Sequence, residues 1–382
     1  MTVAEILSNE ELRQHEFPVA KERIFLGHAG VCPLPRRVAQ AMGDCANGAT
    51  LGDQEAFVMH RIADARQAGA KLLNCQPDEV SLVGPTSLGL SLIAAGLSFR
   101  RGDNILIYHD DYPTNVYPWM ALAEKGVQVH LLNTRQLGGI RAVDVMGPVD
   151  ENTRLVALAS CHFISGHRLE YAAIGQYLRE RGILFCLDGI QTLGAFPTTM
   201  EHVDFLAADA HKWLLGPCGA GLLYVRRDLQ EKLNPPVYGW HNVRNPDFVA
   251  QETIVYREGA AKFEAGTHNL VGLVGLLTAM EMLLELGVDN IAAELSRKRA
   301  WLVPALQAKG YAVLNAYPKP ECAGGITTIF RPDSDLRPIH QRLADAGVVA
   351  SLRTDRQGKN YLRLSPHFYN TDAELHRVMD LL

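Results

Sequence analysis

The chain has 382 residues, 47% of them hydrophobic and 21% charged, with a formal net charge of −5. That balance excludes disorder over most of its length, because enough apolar surface exists to offset chain entropy. The length exceeds one small core and predicts two domains, and the acidic balance argues against nucleic acid as a partner. The seven cysteines (Cys32, Cys45, Cys75, Cys161, Cys186, Cys218, Cys322) include no CxxC pair. They read as mostly buried thiols in a reducing compartment. The most apolar stretches, 88–99 and Leu270–Leu286, are too short or carry charge (Glu281, Glu285), so no membrane span is expected. The first residues show no basic region ahead of an apolar run, so no secretory leader is expected and the expected location is the cytoplasm.

Between 79 and 225 short apolar runs alternate with helical patterns. A run at 81–83 precedes a helix at 86–99. Strands follow at 104–107, 127–132, 155–159 and 183–187, with a helix at 171–181 ahead of the last. Strands at 205–208 and 221–225 complete the series. Runs that are apolar on both faces and alternate with helices predict an α/β fold. Its sheet is mostly parallel and covered on both sides, with the active site beyond the carboxyl ends of the strands. Residues 238–269 are loop-rich. A helix at 270–286 then stops at Gly287. After it come a helix at 291–309, strands at 311–315 and 325–330, a helix at 336–346, a strand at 361–365 and a terminal helix. Thr371 and Glu374 stand at capping-box spacing at the start of that helix. These elements predict a large domain at 16–268 and a smaller α+β domain at 269–382, with residues 1–15 able to pack against the latter.

Two residues carry the chemistry. Asp188 ends one strand and Lys212 follows the next, so a carboxylate and an amine converge at one edge of the sheet. Pyridoxal 5'-phosphate requires such a pair. The lysine forms a Schiff base with its aldehyde, and the carboxylate keeps its ring nitrogen protonated, so the ring accepts electrons from a substrate carbanion. Taken singly, each residue reads more readily as a surface lysine or a helix cap, since exposed charges and caps are common. Gly84-Pro85-Thr86-Ser87 lies between a strand and a helix start, where amides and hydroxyls cradle phosphate or simply cap the helix. Tyr112, in a turn after the strand 104–107, is placed to stack on a pyridine face. No metal site is expected from His109-Asp110-Asp111, because neighbours on an extended segment point apart. Gly219-Ala220-Gly221 precedes a strand where a dinucleotide fingerprint would follow one.

Ala210-His211-Lys212-Trp213, with Gly219 and Gly221 after it, resembles the lysine signature of class V aminotransferases. These are fold-type I pyridoxal-phosphate enzymes, and they include cysteine desulfurases, selenocysteine lyases and isopenicillin N epimerase-like proteins. Three further segments match in order: 28–35 the N-terminal substrate loop, 263–267 a cross-subunit phosphate contact, and 363–371 the carboxylate-binding segment. The resemblance implies a large domain with a seven-stranded type of sheet and a small C-terminal domain. It implies a homodimer with shared active sites. By position, Lys212 would be the Schiff-base lysine and proton shuttle, Asp188 the partner of the ring nitrogen, and Gln191 a donor to the ring oxygen. Tyr112 would stack on the ring, and Thr86, Ser87 and His211 would hold the phosphate. Thr267 would reach that phosphate from the other subunit. Arg363 would clamp the substrate carboxylate, and His28, Ala29, Gly30 and His162 would approach the substrate. Asp209 departs from the small residue usual at its position. It must face away from the phosphate or bond another donor.

The resemblance leaves the reaction open among transamination, elimination and epimerisation on a small amino acid, because all share α-proton removal by the lysine. Gly166-x-Arg168 resembles the epimerase-like branch, and the asparagine typical of desulfurases would fall at Phe163. The desulfurase thiol would lie within 348–359, which holds no cysteine. Ordinary persulfide-forming desulfuration is therefore expected to be absent or weak, although a desulfurase or selenocysteine lyase-like activity stays as the alternative. A non-catalytic cofactor-binding protein would have lost Lys212, Asp188 or Arg363, and none is lost.

Overall fold

The structure, a computed structural model, describes residues 1–332 and 334–382. Seven strands form the main sheet: β1 Val80–Val83, β2 Asn104–Ile107, β3 Gln128–Leu131, β4 Thr153–Ala159, β5 Leu184–Asp188, β6 Phe205–Asp209 and β7 Gly221–Val225. Their order across the sheet is β1-β7-β6-β5-β4-β2-β3. Neighbours run parallel except at β7, which is antiparallel to both β1 and β6. The expected mostly parallel sheet is present.

Alternation along the strands feeds two cores. Val156, Leu158, Phe185, Leu187 and Leu206 enter one, and Leu155, Ala157, Cys186, Phe205 and Ala207 enter the other. With both faces buried, the central strands are apolar on successive positions, which explains the unbroken runs. Helix Thr86–Gly96 covers one face, and helices Gln54–Leu73, Tyr171–Arg179 and Leu270–Leu286 cover the opposite one. Helix Leu270–Leu286 also packs on Arg36–Gly48. Neither Arg36–Gly48 nor Gln54–Leu73 is among the elements expected from the sequence. A Cβ added at Gly89 would stand 2.8 Å from the Ala207 Cβ. The missing side chain thus lets helix Thr86–Gly96 rest directly on β6, with its N-terminus at the carboxyl edge of the sheet.

The second unit has four antiparallel strands: β8 Ala312–Val313, β9 Thr327–Phe330, β10 Ser351–Thr354 and β11 Asn360–Leu364, in the order β10-β11-β9-β8. Helices Val288–Ala308, Arg337–Asp345 and Asp372–Leu381 contribute Leu302, Leu343 and Leu375 to a core shared with Ile329 and Leu362. The expected capping box is formed: the Glu374 amide donates to Thr371 Oγ1 at 3.2 Å, and the Thr371 amide donates to Glu374 Oε2 at 3.0 Å. Ile24 and Phe25 run parallel to Val348 and Val349, so an early segment is stitched to the second unit. Among the described residues, no single helix is long and apolar enough to cross a membrane.

Candidate active site

Strand ends place the reactive groups. β5 finishes on Asp188, and β6 finishes on Asp209, three residues before Lys212. Beside them opens a cavity of about 280 Å³. It brings together Ala29, Gly30, Thr86, Ser87, Tyr112, Asp188, Gln191, His211, Lys212 and Arg363, ten of the residues singled out from the sequence.

Lys212 is 7% exposed, and burial pushes its amine down to about 8, with Asp188 opposing the shift. Asp188 is buried and raised above the ordinary carboxylate range by that burial, while the Ile190 amide and the Lys212 charge pull it back. The two therefore form a desolvated pair whose protonation is set by whatever ligand enters between them. The turn after Lys212 is strained: Leu215, buried, has φ 56°, a region costly for a branched side chain. Helix Thr86–Gly96 opens on Pro85 with no side-chain cap, leaving first-turn amides available for an anion. Thr86 Oγ1 accepts from the Asp209 amide at 2.9 Å, tying that helix end to β6.

Asp209 resolves as a carboxylate with donors of its own. Its Oδ1 accepts from the Ala210 amide at 2.7 Å and its Oδ2 from the Gly219 amide at 3.2 Å. His211 Nδ1 lies 2.9 Å from Oδ2, off the line of a well-directed hydrogen bond. Gln191 Oε1 accepts from Trp213 Nε1 at 2.8 Å, which orients the amide, because an indole only donates. Its Nε2 then donates to Ala29 O at 3.1 Å and keeps a second hydrogen. The Lys212 Nζ sits 5.2 Å from the centre of the Tyr112 ring, and that ring meets Phe163 edge-on at 5.3 Å.

Three expected site residues lie elsewhere. His28 is fully buried, with Nδ1 2.9 Å from Ser365 O and Nε2 2.8 Å from the Tyr369 hydroxyl. The carbonyl can only accept, so Nδ1 carries the proton and Nε2 accepts from the tyrosine. Burial holds His28 down at about 4, a neutral structural group that does not reach the cavity. His162 is the same case: Nε2 donates to Asp110 O at 3.0 Å, Nδ1 accepts from the Ser165 amide at 3.1 Å, and burial holds it at about 4. Its neighbour Phe163 lines the cavity instead, and Phe163 O accepts from Arg363 Nη1 at 2.6 Å. Thr267 lies in an adjoining hollow with Gly84, Leu88 and Gly219, outside the Lys212 cavity of this chain.

Two groups at or near the cavity escape the sequence reading. Arg353 also lines the cavity, from a segment that carries no strand assignment in that reading. Its signal is the alternating Ser351-Leu-Arg-Thr354 before a Gly358 turn, a hairpin pattern. Arg363, 1% exposed, is lowered to about 9 by burial and then by Arg353. The second group is Asp111, read from the sequence as part of a turn. Its carboxyl accepts from the Tyr112 and Ala159 amides and from Asn115 Nδ2, which pins the Tyr112 loop to β4. Burial, and after it the nearby Asp188, raises Asp111 to about 7.

The stretch 348–359 is paired rather than free. β10 and β11 form a hairpin whose tip is clasped by Arg356, which donates to Asp110 Oδ1 at 2.7 Å and to His109 O at 2.6 Å. Cys161 and Cys322 are buried, and burial raises their thiols to about 12 and about 11.

A family model described as aminotransferase class-V matches residues 24–378. A probable cysteine desulfurase of Methanothermobacter thermautotrophicus is 29% identical over 98% of this chain and 98% of that protein. An uncharacterized aminotransferase of Bacillus subtilis is 27% identical over 97% and 96%. An apo cysteine desulfurase from Thermococcus onnurineus superposes with a TM-score of 0.88 at 22% identity, covering 97% of this chain and 96% of that one. A cystine C–S lyase in complex with its product cysteine persulfide gives a TM-score of 0.85 at 23% identity, covering 95% and 98%. These structural likenesses show the fold, which is the fold-type I architecture expected from the sequence.

Proposed function

From the premise that the chain belongs to the aminotransferase class-V family and is a pyridoxal-phosphate-dependent enzyme, we propose that it works at the α-carbon of a small amino acid with Lys212 as proton carrier. The observation that carries this reading is the convergence of Lys212, Asp188 and Arg363 on one cavity. The residues present fit the cofactor. A buried amine faces a buried carboxylate, and an uncapped helix end with two hydroxyls stands beside them.

When bound, pyridoxal phosphate supplies an electron sink for the pair left behind by the α-proton. Asp188 would hold its ring nitrogen, and the free Nε2 hydrogen of Gln191 its ring oxygen. Thr86, Ser87 and His211 would hold the phosphate, and Tyr112 would cover the ring. Lys212 would be the amine that holds the cofactor. A lysine brought down to about 8 has a useful neutral fraction near neutral pH, so it can take a proton there and return it. Arg363 orients the substrate through its α-carboxylate, and the carbonyl of Phe163 holds that guanidinium in place.

The rest of the reading follows from the same premise. Thr267 would complete the phosphate site from the partner subunit of a homodimer, which fits its place outside the cavity of its own chain. A cytoplasmic location fits seven free cysteines. The division at 268/269 keeps Arg363 on the smaller domain, with helix Leu270–Leu286 bracing the larger one. Cysteine desulfurase chemistry is the second reading, favoured by the names of the relatives. The paired hairpin at Ser351–Leu364 and the high thiol values disfavour a persulfide relay. They leave room for C–S cleavage by elimination, which needs no thiol.

The test is a panel of amino acids scored for visible spectral shift, keto-acid formation and α-hydrogen exchange. Wild type should absorb in the visible and exchange the α-hydrogen of at least one amino acid, and Lys212→Ala should lose both. A protein that takes up no cofactor, or that none of the panel perturbs, sinks the reading. Sulfide release with persulfide mapped to a cysteine would establish the relay instead.

A further inference from the structure

We propose that Arg353 binds a second acidic group, carried on the substrate's side chain, so that this site prefers amino acids with anionic side chains. The inference rests on the reading of the cavity as an amino-acid site and names the substrate class for it.

Register puts the two arginines together. Ser351 pairs with Arg363 and Arg353 with Tyr361 across the hairpin. Directly paired residues share a face, and so do residues two apart on one strand, so Arg353 and Arg363 are diagonal neighbours on one face, about 7–8 Å apart in such a ladder. That face forms a wall of the Lys212 cavity. Both guanidinium tips converge on Gly30. A Cβ there would stand 3.7 Å from Arg363 Nη2 and 3.9 Å from Arg353 Nη2. Gly27 O, 3.1 Å from the same Cβ position, closes one side, and the missing side chain leaves a small notch between two cations.

Neither cation has a carboxylate partner among the described residues. Arg363 donates Nη1 to Phe163 O and reaches Ser351 Oγ only at 3.5 Å, and its Nε is buried with no partner. Arg353 donates one Nη1 bond, to Leu352 O at 3.0 Å. Each guanidinium has five donors, so most of the fork is unused on both. The one acidic side chain in the cavity wall is Asp188, which faces Lys212. The charge arithmetic then points one way. The α-carboxylate of an amino acid would satisfy one arginine, and the cofactor phosphate would be held at the uncapped start of helix Thr86–Gly96. Two like charges on one ladder face repel, and Arg353, only partly buried, gains a charged partner in place of water when the ligand brings another anion. A carboxylate or sulfinate one or two carbons beyond the α-carbon supplies it. An uncharged amide of the same size cannot match that pairing.

Affinities of the cofactor-loaded protein for aspartate, asparagine, glutamate, glutamine and alanine, read by visible spectrum and by calorimetry, decide the matter. A second readout uses ligands with no amine: succinate against butyrate, scored by thermal shift. Aspartate or glutamate is expected to bind at least tenfold tighter than its amide, and succinate to protect more than butyrate. Arg353→Met, which keeps the apolar stem, should abolish that preference while weakening alanine less than threefold. Arg353→Lys should restore part of it, and Gly30→Ala, which fills the notch, should reduce it. Should Arg353→Met lose its cofactor or its circular dichroism, the Lys and Gly30 variants carry the test. Equal affinity of wild type for acid and amide would overturn the inference. So would equal losses for alanine and aspartate in Arg353→Met, the mark of two arginines on one carboxylate. Alanine shifting the spectrum without an acid preference overturns this inference alone. No shift with any amino acid overturns the proposed function itself.

Discussion

Asp188 and Lys212 are placed by the ends of neighbouring, fully buried strands, whereas Arg353 and Arg363 are placed by the register of a hairpin from the second unit. The first arrangement resists change, because moving either residue means moving the core of the sheet. The second depends on alternation: a slip of one residue in β10 or β11 would turn an arginine away from the cavity. In the function proposed above, the floor of the site would carry the chemistry and the hairpin wall the choice of ligand. Damage to one should leave the other readable.

The largest expected effect is on the floor. Asp188→Ala should slow α-hydrogen exchange about 10²–10⁴-fold, since loss of one partner of a buried charge pair costs roughly 3–5 kcal/mol. Cofactor retention should fall with it. Exchange within tenfold of wild type would break the assignment of Asp188 to the ring nitrogen. On the wall, Arg363→Ala should weaken amino-acid binding by about 30-fold or more, as expected when one side of a buried ionic contact worth roughly 2–5 kcal/mol is removed. Its visible absorbance should persist. Absorbance lost together with binding would show that floor and wall are not separable.

The pH dependence comes next. The folded Lys212 value lies below that of a free lysine, so its neutral amine gains from rising pH up to about 8 and gains little above it. The rate of cofactor uptake by stripped protein should rise by about tenfold per pH unit between pH 6 and 8 and then level off. A rise that continues past pH 10 would mean that the floor is wet. The smallest effect is at the hairpin tip. Arg356 is exposed and Asp110 half-buried, and a surface pair of this kind is worth about 0–1 kcal/mol. Arg356→Ala should thus change amino-acid affinity by less than about fivefold. A much larger loss would make the clasp part of the wall.

The floor is legible in the sequence because each of its parts is local. A buried strand announces itself as an apolar run, and the residue that ends it stands at the carboxyl edge. The capping box at Thr371 and Glu374 is local in the same way. The wall is harder to read. Arg363 enters through a resemblance, but Arg353 requires a pairing between 351–354 and 360–364 that only alternation hints at. His28 and His162 mislead for a different reason. Their positions beside the cavity are expected, but what decides their role is the carbonyl each one meets, Ser365 O and Asp110 O, contributed by segments remote in the chain. Helix Gln54–Leu73 buries Ala65 and Ala68, small residues that offer little hydrophobic contrast to a periodicity search. The absence of a cysteine from 348–359 is plain in the sequence, and pairing adds that this segment is a closed hairpin.

The stitch between Ile24–Phe25 and Val348–Val349 bears on the order of synthesis. Gly27 bridges Ser365, and His28 is held by Ser365 and Tyr369, so Ala29 and Gly30 reach their places only after those residues exist. A ribosome adds about 5–20 residues per second and releases the early segments first. The main sheet is complete at Val225, well before Ser365 emerges. A nascent chain at that stage has Asp188 and Lys212 but neither Arg353 nor Arg363. A chain ending there would also lack helix Leu270–Leu286, which covers one face of the sheet, so the cavity is complete only when the last stretch of the message has been read.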